Sequence, residues 1–222
     1  GMVAYEGLDA TYNRWSAVEL DDYKENISYD PNGNILSYKR NGSIRGTLSA
    51  MDDMKYKYLY TDQSNTIKQY DPLEPLPSDV KALSNQLAAV KDAVDDNNYP
   101  ADIDNQADNN YSYDAIGNLT ADTKENISNI EWTVYGKISS ITKTDGTQIT
   151  YQYDPAGNRT GKSVVSGLSS VVTYYVRDAS GNTMSVYTAA GEAVPVQAEA
   201  HIYGSSRLGM QTQLTVAPAA VT

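Results

Sequence analysis

A short motif recurs along the 222-residue chain at fixed internal spacing, and it constrains the fold more than any other sequence feature. Its frame is Tyr-x-Tyr-Asp-x-x-Gly-Asn. Three clear copies lie at residues 27–34, 111–118 and 151–158, and a weaker copy lies at 175–182. A degenerate unit at 135–138 separates the second and third copies, which gives a period of about 20 residues. Such periodicity indicates a repeat architecture in which neighbouring units pack on one another.

Each copy of the motif encodes a tight turn. The Asp side chain can accept hydrogen bonds from backbone N–H groups inside the turn. Pro31 and Pro155 directly follow the Asp, and each fixes its own φ angle at the value that the second turn position needs. The Gly is suited to positive φ. Together these features predict a three-residue hairpin loop with a bulge. We therefore predict a structural role for the turn residues Asp30, Gly33, Asn34, Asp114, Gly117, Asn118, Asp154, Gly157, Asn158, Asp178, Gly181 and Asn182.

The loop length also predicts which residues face each other across the hairpins. At the turn containing Gly146, a two-residue loop would place Ile141 opposite Thr150. A three-residue loop places Ile141 opposite Ile149 instead. We favour this register because apolar side chains then face each other on one side of the hairpin. The pairs predicted in this way are Tyr29–Ile35, Ile27–Ser37 and Ile141–Ile149.

The composition narrows the class of protein. The chain has no Cys, one His, no Phe and 19 Tyr, and its formal net charge is −11. Thiol chemistry, Cys-based metal sites and multi-His metal sites are excluded, and we expect no cofactor. The acidic charge argues against nucleic acid as a partner. No apolar run approaches the ~20 residues that a membrane-spanning helix needs. Tyr suits strands with one buried and one wet face.

These features predict an all-β fold, in which antiparallel hairpin repeats join into one continuous, twisted or curled sheet. An ordinary β-sandwich or barrel is the alternative, but four copies at fixed spacing favour the continuous sheet. Residues 61–83 interrupt the pattern as an irregular insertion. After a potential cap at Ser78 or Asp79, apolar residues from Val80 to Val94 fall at helical spacing, so propensity alone favours a helix there.

Several polar residues are candidates for chemistry. Asp102, Asp104 and Asp108 supply oxygen ligands of the kind that Ca²⁺ prefers, although the segment lacks the Gly and the distal Glu of an EF-hand loop. A solvated acidic loop is the simpler interpretation. His201 with Ser205 would make a catalytic pair, but no Gly-x-Ser-x-Gly elbow accompanies them. We therefore expect no enzyme activity.

The sequence resembles the YD-repeat family, also called RHS repeats. The resemblance is carried by the Tyr-Asp-x-x-Gly-Asn frames at 29–34, 113–118 and 153–158, and by residues 132–141 and 175–182. Residues 203–209, Tyr-Gly-Ser-Ser-Arg-Leu-Gly, resemble the motif that opens the family's core domain. The matches span residues 23 to 210. They imply one YD-repeat domain over 1–222, with repeats at about 23–60, 84–122, 130–162 and 171–190.

The resemblance also implies structure and function. In this family, hairpin repeats join edge to edge into a sheet that coils into a shell, and that shell encloses or presents another domain. We expect the partners to be the rest of a longer polypeptide, including a core domain and a C-terminal effector. We expect the location to be the exterior or surface of a bacterium. The family pattern makes residues 86–91 a strand paired with residues 55–60, which leaves a helix only at 78–85.

Three functions compete at this stage. The first is a non-catalytic structural scaffold, because turn and sheet geometry explains every repeated residue. The second is a carbohydrate- or cell-wall-binding module, since tyrosine rings stack on sugars. Its candidate ligand-facing aromatics are Tyr29, Tyr113, Tyr151 and Tyr153. The third is a hydrolase that uses two facing carboxylates.

Overall fold

The computed structural model describes residues 7–15, 22–43 and 50–212, together with the backbone of residues 4–5 and 19–20. The described residues form strands and turns without a helix, and every strand pairing is antiparallel. The predicted all-β hairpin fold is therefore confirmed. The chain divides into two compact units, residues 1–117 and 118–222. The repeat boundaries given above stay predictions.

The first unit is built around one long strand. Its strands are β1 (Ala4–Tyr5), β2 (Leu8–Asp9), β3 (Arg14–Trp15), β4 (Glu19–Leu20), β5 (Glu25–Tyr29), β6 (Ile35–Asn41), β7 (Ala50–Asp62), β8 (Ile67–Tyr70), β9 (Val80–Asp92) and β10 (Tyr111–Tyr113). β7 pairs with β9 along one edge, while β6 and β8 share its other edge. The core of this unit lies on β7 and β9, where Met54, Tyr58, Leu59, Tyr60, Ala88, Ala89 and Val90 are buried.

The segment from Val80 to Asp92 is a strand, so the helix at 78–85 is wrong. Ser78 and Asp79 lie in a turn, and β9 begins at the next residue. Lys91 pairs with Lys55 and Val90 with Tyr56, which confirms the predicted strand over 86–91. The apolar residues that fall at helical spacing lie on the two faces of a strand instead. Long-range pairing with β7 overrides the local helix propensity.

The predicted irregular insertion is more regular than expected. β8 lies inside it, and only the turn at 63–66 and residues 71–79 lie outside strands. The β7–β8 hairpin turns at Asp62 in the same way as the YD motif, although no Gly is present. Asn65 takes the Gly position with φ of 61°, which Asn tolerates better than most residues. This Asp62 turn was missed in the sequence, because the motif was defined by its Gly.

The second unit is a meander. Its strands are β11 (Leu119–Asp122), β12 (Ile127–Trp132), β13 (Ile138–Lys143), β14 (Gln148–Tyr153), β15 (Arg159–Ser166), β16 (Ser169–Arg177), β17 (Thr183–Ala190), β18 (Val196–Tyr203) and β19 (Arg207–Thr212). Each strand pairs with the next one along the chain. Ile141 pairs with Ile149 as predicted. Ile130, Val186 and Ala189 are its buried apolar residues among those described.

The hairpins contain a second irregularity that changes the predicted register. Tyr29 pairs with Ile35 as expected, but Ile27 pairs with Tyr38 and not with Ser37. Leu36 is an extra residue that bulges out of β6. Such a bulge bends the strand and increases its local right-handed twist. A residue at the same place in the repeat frame, two positions after the Asn or its substitute, is extra in five hairpins and in the pairing of β9 with β7. These residues are Leu36, Ser139, Thr160, Met184 and Leu208 in the hairpins, and Ala88 in β9.

Candidate functional site: the repeat turns and their surroundings

The Asp and Asn of each motif hold the turn through a reciprocal set of hydrogen bonds. In the Asp154 turn, the backbone N–H and the side-chain amide of Asn158 donate to the two carboxylate oxygens at 2.8 and 3.0 Å. The backbone N–H of Asp154 donates in return to the Asn158 carbonyl at 2.9 Å. The Asp30 and Asp178 turns repeat this pattern. The final Asn therefore completes the turn.

The turn hydrogen bonds also perturb the carboxylates. The Asn side-chain amide, followed by backbone N–H groups, lowers the pKa of Asp30, Asp154 and Asp178 below the usual value. These bonds favour the ionised form, because each donor stabilises the negative charge. The carboxylates of the motif are thus occupied acceptors, which is consistent with their predicted structural role.

Successive turns in the second unit stack through the Gly position. φ is +85° at Gly181, and a Cβ atom built there would lie 3.1 Å from Oδ1 of Asn158 in the preceding turn. The side chain of Lys137 approaches Gly157 in the same way, at 3.6 Å. The Gly residues thus permit both a left-handed backbone and close stacking of one turn on the next.

A row of side-chain-to-carbonyl hydrogen bonds links neighbouring hairpins, and we call it the carbonyl ladder. The donor is the residue directly before the first position of a repeat turn. The acceptor is the backbone carbonyl directly after the Asn position of the preceding unit. The five pairs are Tyr113–Leu87, Trp132–Leu119, Tyr153–Ile138, Arg177–Arg159 and Tyr203–Thr183, with distances from 2.8 to 3.0 Å.

The carbonyl ladder explains why this position is Tyr rather than Phe. Four of the five acceptor carbonyls, those of Leu87, Ile138, Arg159 and Thr183, lie beside a bulge, where the regular strand ladder is interrupted. A phenolic hydroxyl reaches that carbonyl while the ring packs on the sheet, and Phe has no donor to offer. Trp132 and Arg177 take the same position because their side chains also carry an N–H donor. In the sequence, the requirement for a side-chain donor at this position is visible only as the absence of Phe.

The candidate ligand-facing aromatics occupy different environments. Tyr113 and Tyr153 belong to the carbonyl ladder and are half-buried. Tyr151 is half-buried, with the guanidinium of Arg159 lying 4.5 Å from its ring centre. Tyr29 is 55% exposed. Sequence reasoning missed Tyr135, which is 87% exposed at the tip of a degenerate turn.

An open groove runs between two neighbouring turns of the second unit. It has a volume of about 370 Å³ and is lined by Thr133, Tyr135, Lys137, Tyr153, Asp154, Pro155, Ala156 and Gly157. Two tyrosines, one lysine and one aspartate are therefore among the lining residues. Both oxygens of the carboxylate are already bound by Asn158, so it is poorly suited to transfer protons.

The acidic segment of the first unit covers an edge of the sheet. Gln106 is buried and pairs with the outer edge of β9, because its side-chain oxygen accepts from the Val90 N–H at 2.8 Å and its own N–H donates to the Val90 carbonyl at 3.1 Å. Asp108 forms ion pairs with Lys57 and Lys91 at 3.3 and 2.8 Å. A covered edge cannot template association with other strands.

The three carboxylates of the predicted calcium site have different surroundings. Asp108 is ion-paired with its two lysines, and side-chain hydrogen bonds from Lys91, Gln69 and Lys57 lower its pKa to about 2. Burial and neighbouring carboxylates raise the pKa of Asp102 instead. Within the part of the chain that the structure describes, no group of three or more His, Cys, Asp or Glu side chains is arranged to hold a metal ion.

His201 lies inside the second unit rather than in a catalytic arrangement. Its Nε2 lies 3.0 Å from a Glu199 carboxylate oxygen, and its ring stacks on Tyr203 with 6.5 Å between the ring centres. Its side chain is 8% exposed. These partners belong to the same strand, β18, and they fix the ring against the sheet.

The fold and its turns define a class of protein, namely a sheet assembled from repeated antiparallel hairpins that are linked by the carbonyl ladder. Residues 132–168 match the family model for the RHS repeat. Over these residues the chain is similar to the RHS/YD-repeat family. It covers the Tyr153–Ile138 pair of the ladder, the groove between the two turns and the following strand β15. A comparison with curated proteins gives no match.

RHS repeats are structural repeats that form parts of larger polypeptides. No described segment forms a helix with the length and hydrophobicity that a membrane crossing needs.

Proposed function

We propose that this chain is a non-catalytic scaffold, a segment of repeat sheet that encloses or presents another domain of a larger secreted or bacterial-surface protein. One observation carries the proposal. The repeated side chains form the hydrogen bonds of the turns and of the carbonyl ladder, so their shared role is to build the sheet. Asp154 and Asn158 close a turn, and Tyr153 joins that hairpin to its predecessor.

Deletion of the meander within the full-length gene product tests this proposal. The scaffold role predicts that removal of residues 118–212 exposes a flanking domain to limited proteolysis if it is enclosed, or removes it from the surface if it is presented. Removal of residues 7–15 is the matched control, because those residues form only the short β2–β3 hairpin. A flanking domain that keeps its protease resistance and its surface display without residues 118–212 would refute the scaffold role.

The groove supports a second candidate function, the binding of a glycan. Tyr135 lines it and is 87% exposed, and sugar rings stack on accessible tyrosine faces through their C–H groups. Lys137 supplies a donor for sugar hydroxyls. Because the groove is open on one side, a chain-like glycan could continue past it. The cell-wall-binding module predicted from exposed tyrosines would use this groove.

A glycan array and a single substitution test the second candidate. Tyr135→Ala should abolish binding, since it removes the stacking platform. Tyr174→Ala is the matched control, because Tyr174 is 41% exposed in the middle of β16 and lies outside the groove. The glycan function is rejected if no glycan binds, or if the two substitutions weaken binding equally.

A further inference from the structure

One further hydrogen bond belongs to the carbonyl ladder. The Tyr58 hydroxyl donates at 2.7 Å to the carbonyl of Ile35, which lies at the acceptor position of the first repeat turn. Tyr58 pairs with Leu87, just as Tyr29 pairs with Ile35. Tyr58 therefore holds the donor position of a hairpin in which residues 59–86 replace the repeat turn. With this bond, every turn from the first to the last takes part in the ladder.

The ladder has one unused donor and one unused acceptor among the described residues. Tyr29 occupies the donor position before the first turn, and its ring is 55% exposed with no hydrogen bond from its hydroxyl to any described residue. Arg207 occupies the acceptor position after the last turn, beside the bulge at Leu208. No described side chain donates to the Arg207 carbonyl. The two positions are complementary, because each lacks what the other offers.

The stacking of turns is incomplete at the same two turns. At the Gly of three other turns, an added Cβ atom would contact the residue at the Asn position of the preceding turn; the pairs are Gly117–Gln86, Gly157–Lys137 and Gly181–Asn158. Gly136 is the exception among the inner turns. Gly33 of the first turn, with φ of +86°, has no atom within 4 Å of such a Cβ. Ser206, at the Asn position of the last turn, is exposed. The first turn thus has an open Gly position, and the last turn has a side chain of the kind that fills one.

The strands beside these two turns are the outer strands of their sheets. Among the described strands, β5 pairs only with β6, and β19 pairs only with β18. The outer edge of each strand therefore presents backbone N–H and C=O groups that another strand can pair with. Apolar side chains are exposed on both strands, namely Ile27 on β5 and Leu208 and Met210 on β19. Strand addition would shield them from water.

We propose that copies of this chain join head to tail, with β5 of one copy added antiparallel to the outer edge of β19 of the next. The Tyr29 hydroxyl would donate to the Arg207 carbonyl of the other copy, and Ser206 of that copy would stack on Gly33. A second copy fits better than an unrelated edge strand, because an unrelated strand satisfies the backbone but supplies neither the ladder donor nor the turn. The contact is heterologous, so each added copy leaves a new end open and growth ends only in a ring.

The ladder inside the chain fixes the register of the proposed contact. In four pairs of strands, the residue two positions after the acceptor pairs with the residue three positions before the donor. These pairs are Ser37–Lys55, Ser140–Thr150, Gly161–Tyr174 and Ser185–Ala200. The same spacing places Gly209 opposite Asn26 of the other copy, and Met210 opposite Glu25. Ile27 then lies beside Leu208, so the exposed apolar side chains of the two edges meet.

This inference goes beyond the scaffold role and does not rest on it. The proposed contact uses the outer strands β5 and β19, whereas the candidate glycan site is the groove between two inner turns. A chain that stays monomeric would therefore contradict the head-to-tail contact and leave the deletion and glycan experiments unaffected.

Sedimentation velocity of the 222-residue chain over a concentration series tests the association. We expect reversible assembly that grows beyond a dimer, with a Kd of about 1 mM or tighter for each contact. The formal net charge of −11 makes copies repel one another, so added salt should strengthen the assembly.

Two substitutions that each block one end give the sharpest test. Ile27→Lys blocks β5 and Leu208→Lys blocks β19, because a lysine on an edge strand opposes pairing. Each variant alone should stay monomeric, whereas an equimolar mixture should form a dimer that does not grow, since the mixture keeps one intact pair of ends. Leu168→Lys is the matched control, because Leu168 is exposed in the turn between β15 and β16 and the added charge is the same. It should assemble like the original chain.

A substitution without a charge change tests the ladder hydroxyl itself. Tyr29→Phe should weaken the association about two- to tenfold, the amount that one net hydrogen bond contributes. Tyr174→Phe is the control, because Tyr174 is also exposed but lies in the middle of β16. It should leave the association unchanged. Circular dichroism of every variant verifies that the fold is retained.

Any of three results would overturn the proposal. They are a chain that stays monomeric at about 1 mM, assembly of either end-blocked variant on its own, and equal effects of Tyr29→Phe and Tyr174→Phe. Assembly of an end-blocked variant on its own would show that the copies meet through another surface or through two identical edges.

Discussion

Removal of a single ladder hydroxyl should destabilise the second unit by an amount that its geometry defines. Tyr153→Phe removes the donor that reaches the Ile138 carbonyl at 2.8 Å and leaves the ring in place. A net hydrogen bond contributes about 0.5–1.5 kcal/mol, and an acceptor left unsatisfied in a fully buried site costs about 1–3 kcal/mol. Because Tyr153 is half-buried, water can partly replace the donor, and we expect a loss of about 1 kcal/mol.

A neighbouring tyrosine supplies the control. Tyr151 lies on the same strand and is also half-buried, but its hydroxyl has no hydrogen bond within the described residues. Tyr151→Phe should therefore change the free energy of unfolding by less than about 0.5 kcal/mol. Urea unfolding followed by tryptophan fluorescence measures both variants, and Trp132 reports from the adjacent step of the ladder. Equal losses for the two variants, or no loss for Tyr153→Phe, would refute the carbonyl ladder as a stabilising element.

Three further outcomes follow from the turns and the ion pairs. In urea unfolding, Gly181→Ala should lower the free energy of unfolding more than Gly33→Ala does. The φ angle is about equal at the two positions, but only the methyl group at position 181 would contact Asn158. Equal losses would show that turn stacking contributes nothing to stability. Gly157→Val, with φ of +81°, should cost about 1–3 kcal/mol, and an unchanged melting temperature would contradict the assigned turn. The pKa of Asp108 is lowered to about 2, so the stability that its carboxylate contributes is present above pH ~4 and is lost as the pH falls towards 2. Asp108→Asn should therefore flatten the acid side of the curve of unfolding free energy against pH. An unchanged curve would contradict the ion pairs of Asp108 with its lysines.

The repeat turns were predictable because their causes are local. Asp at the first position, Pro at the second and Gly at the fourth fix the backbone through interactions within five residues. The structure confirms the positive φ of Gly33 and Gly157 and the pairing of Ile141 with Ile149. The Asp62 turn escaped because Asn65 replaces the Gly, and Asn also tolerates the left-handed region.

The strand–helix ambiguity of β9 shows where local information ends. Its apolar residues satisfy a helical period as well as a two-sided strand, and propensity favours the helix. Pairing of Tyr56 with Val90 and Lys55 with Lys91 decides the matter, because β7 otherwise lacks a partner along that edge. Only the resemblance to a known family supplied that partner in advance.

Register beyond the first pair was also decided by tertiary structure. The loop fixes Tyr29 opposite Ile35, but the bulge at Leu36 moves the next partner of Ile27 to Tyr38. A bulge bends its strand and increases the local twist, and no residue type at that position signals it. The positions hold Leu, Ala, Ser, Thr, Met and Leu in turn.

The sequence by itself determined the repeat, the turns and the all-β class, since these depend on contacts between residues close in the chain. Only long-range contacts determine how neighbouring hairpins are joined and which charged side chains lie together. Tyr153 finds the Ile138 carbonyl only when two hairpins are side by side. Asp108 meets Lys57 and Lys91 only because the acidic segment lies against β7 and β9. Both depend on long-range contacts, whose energies no local pattern encodes.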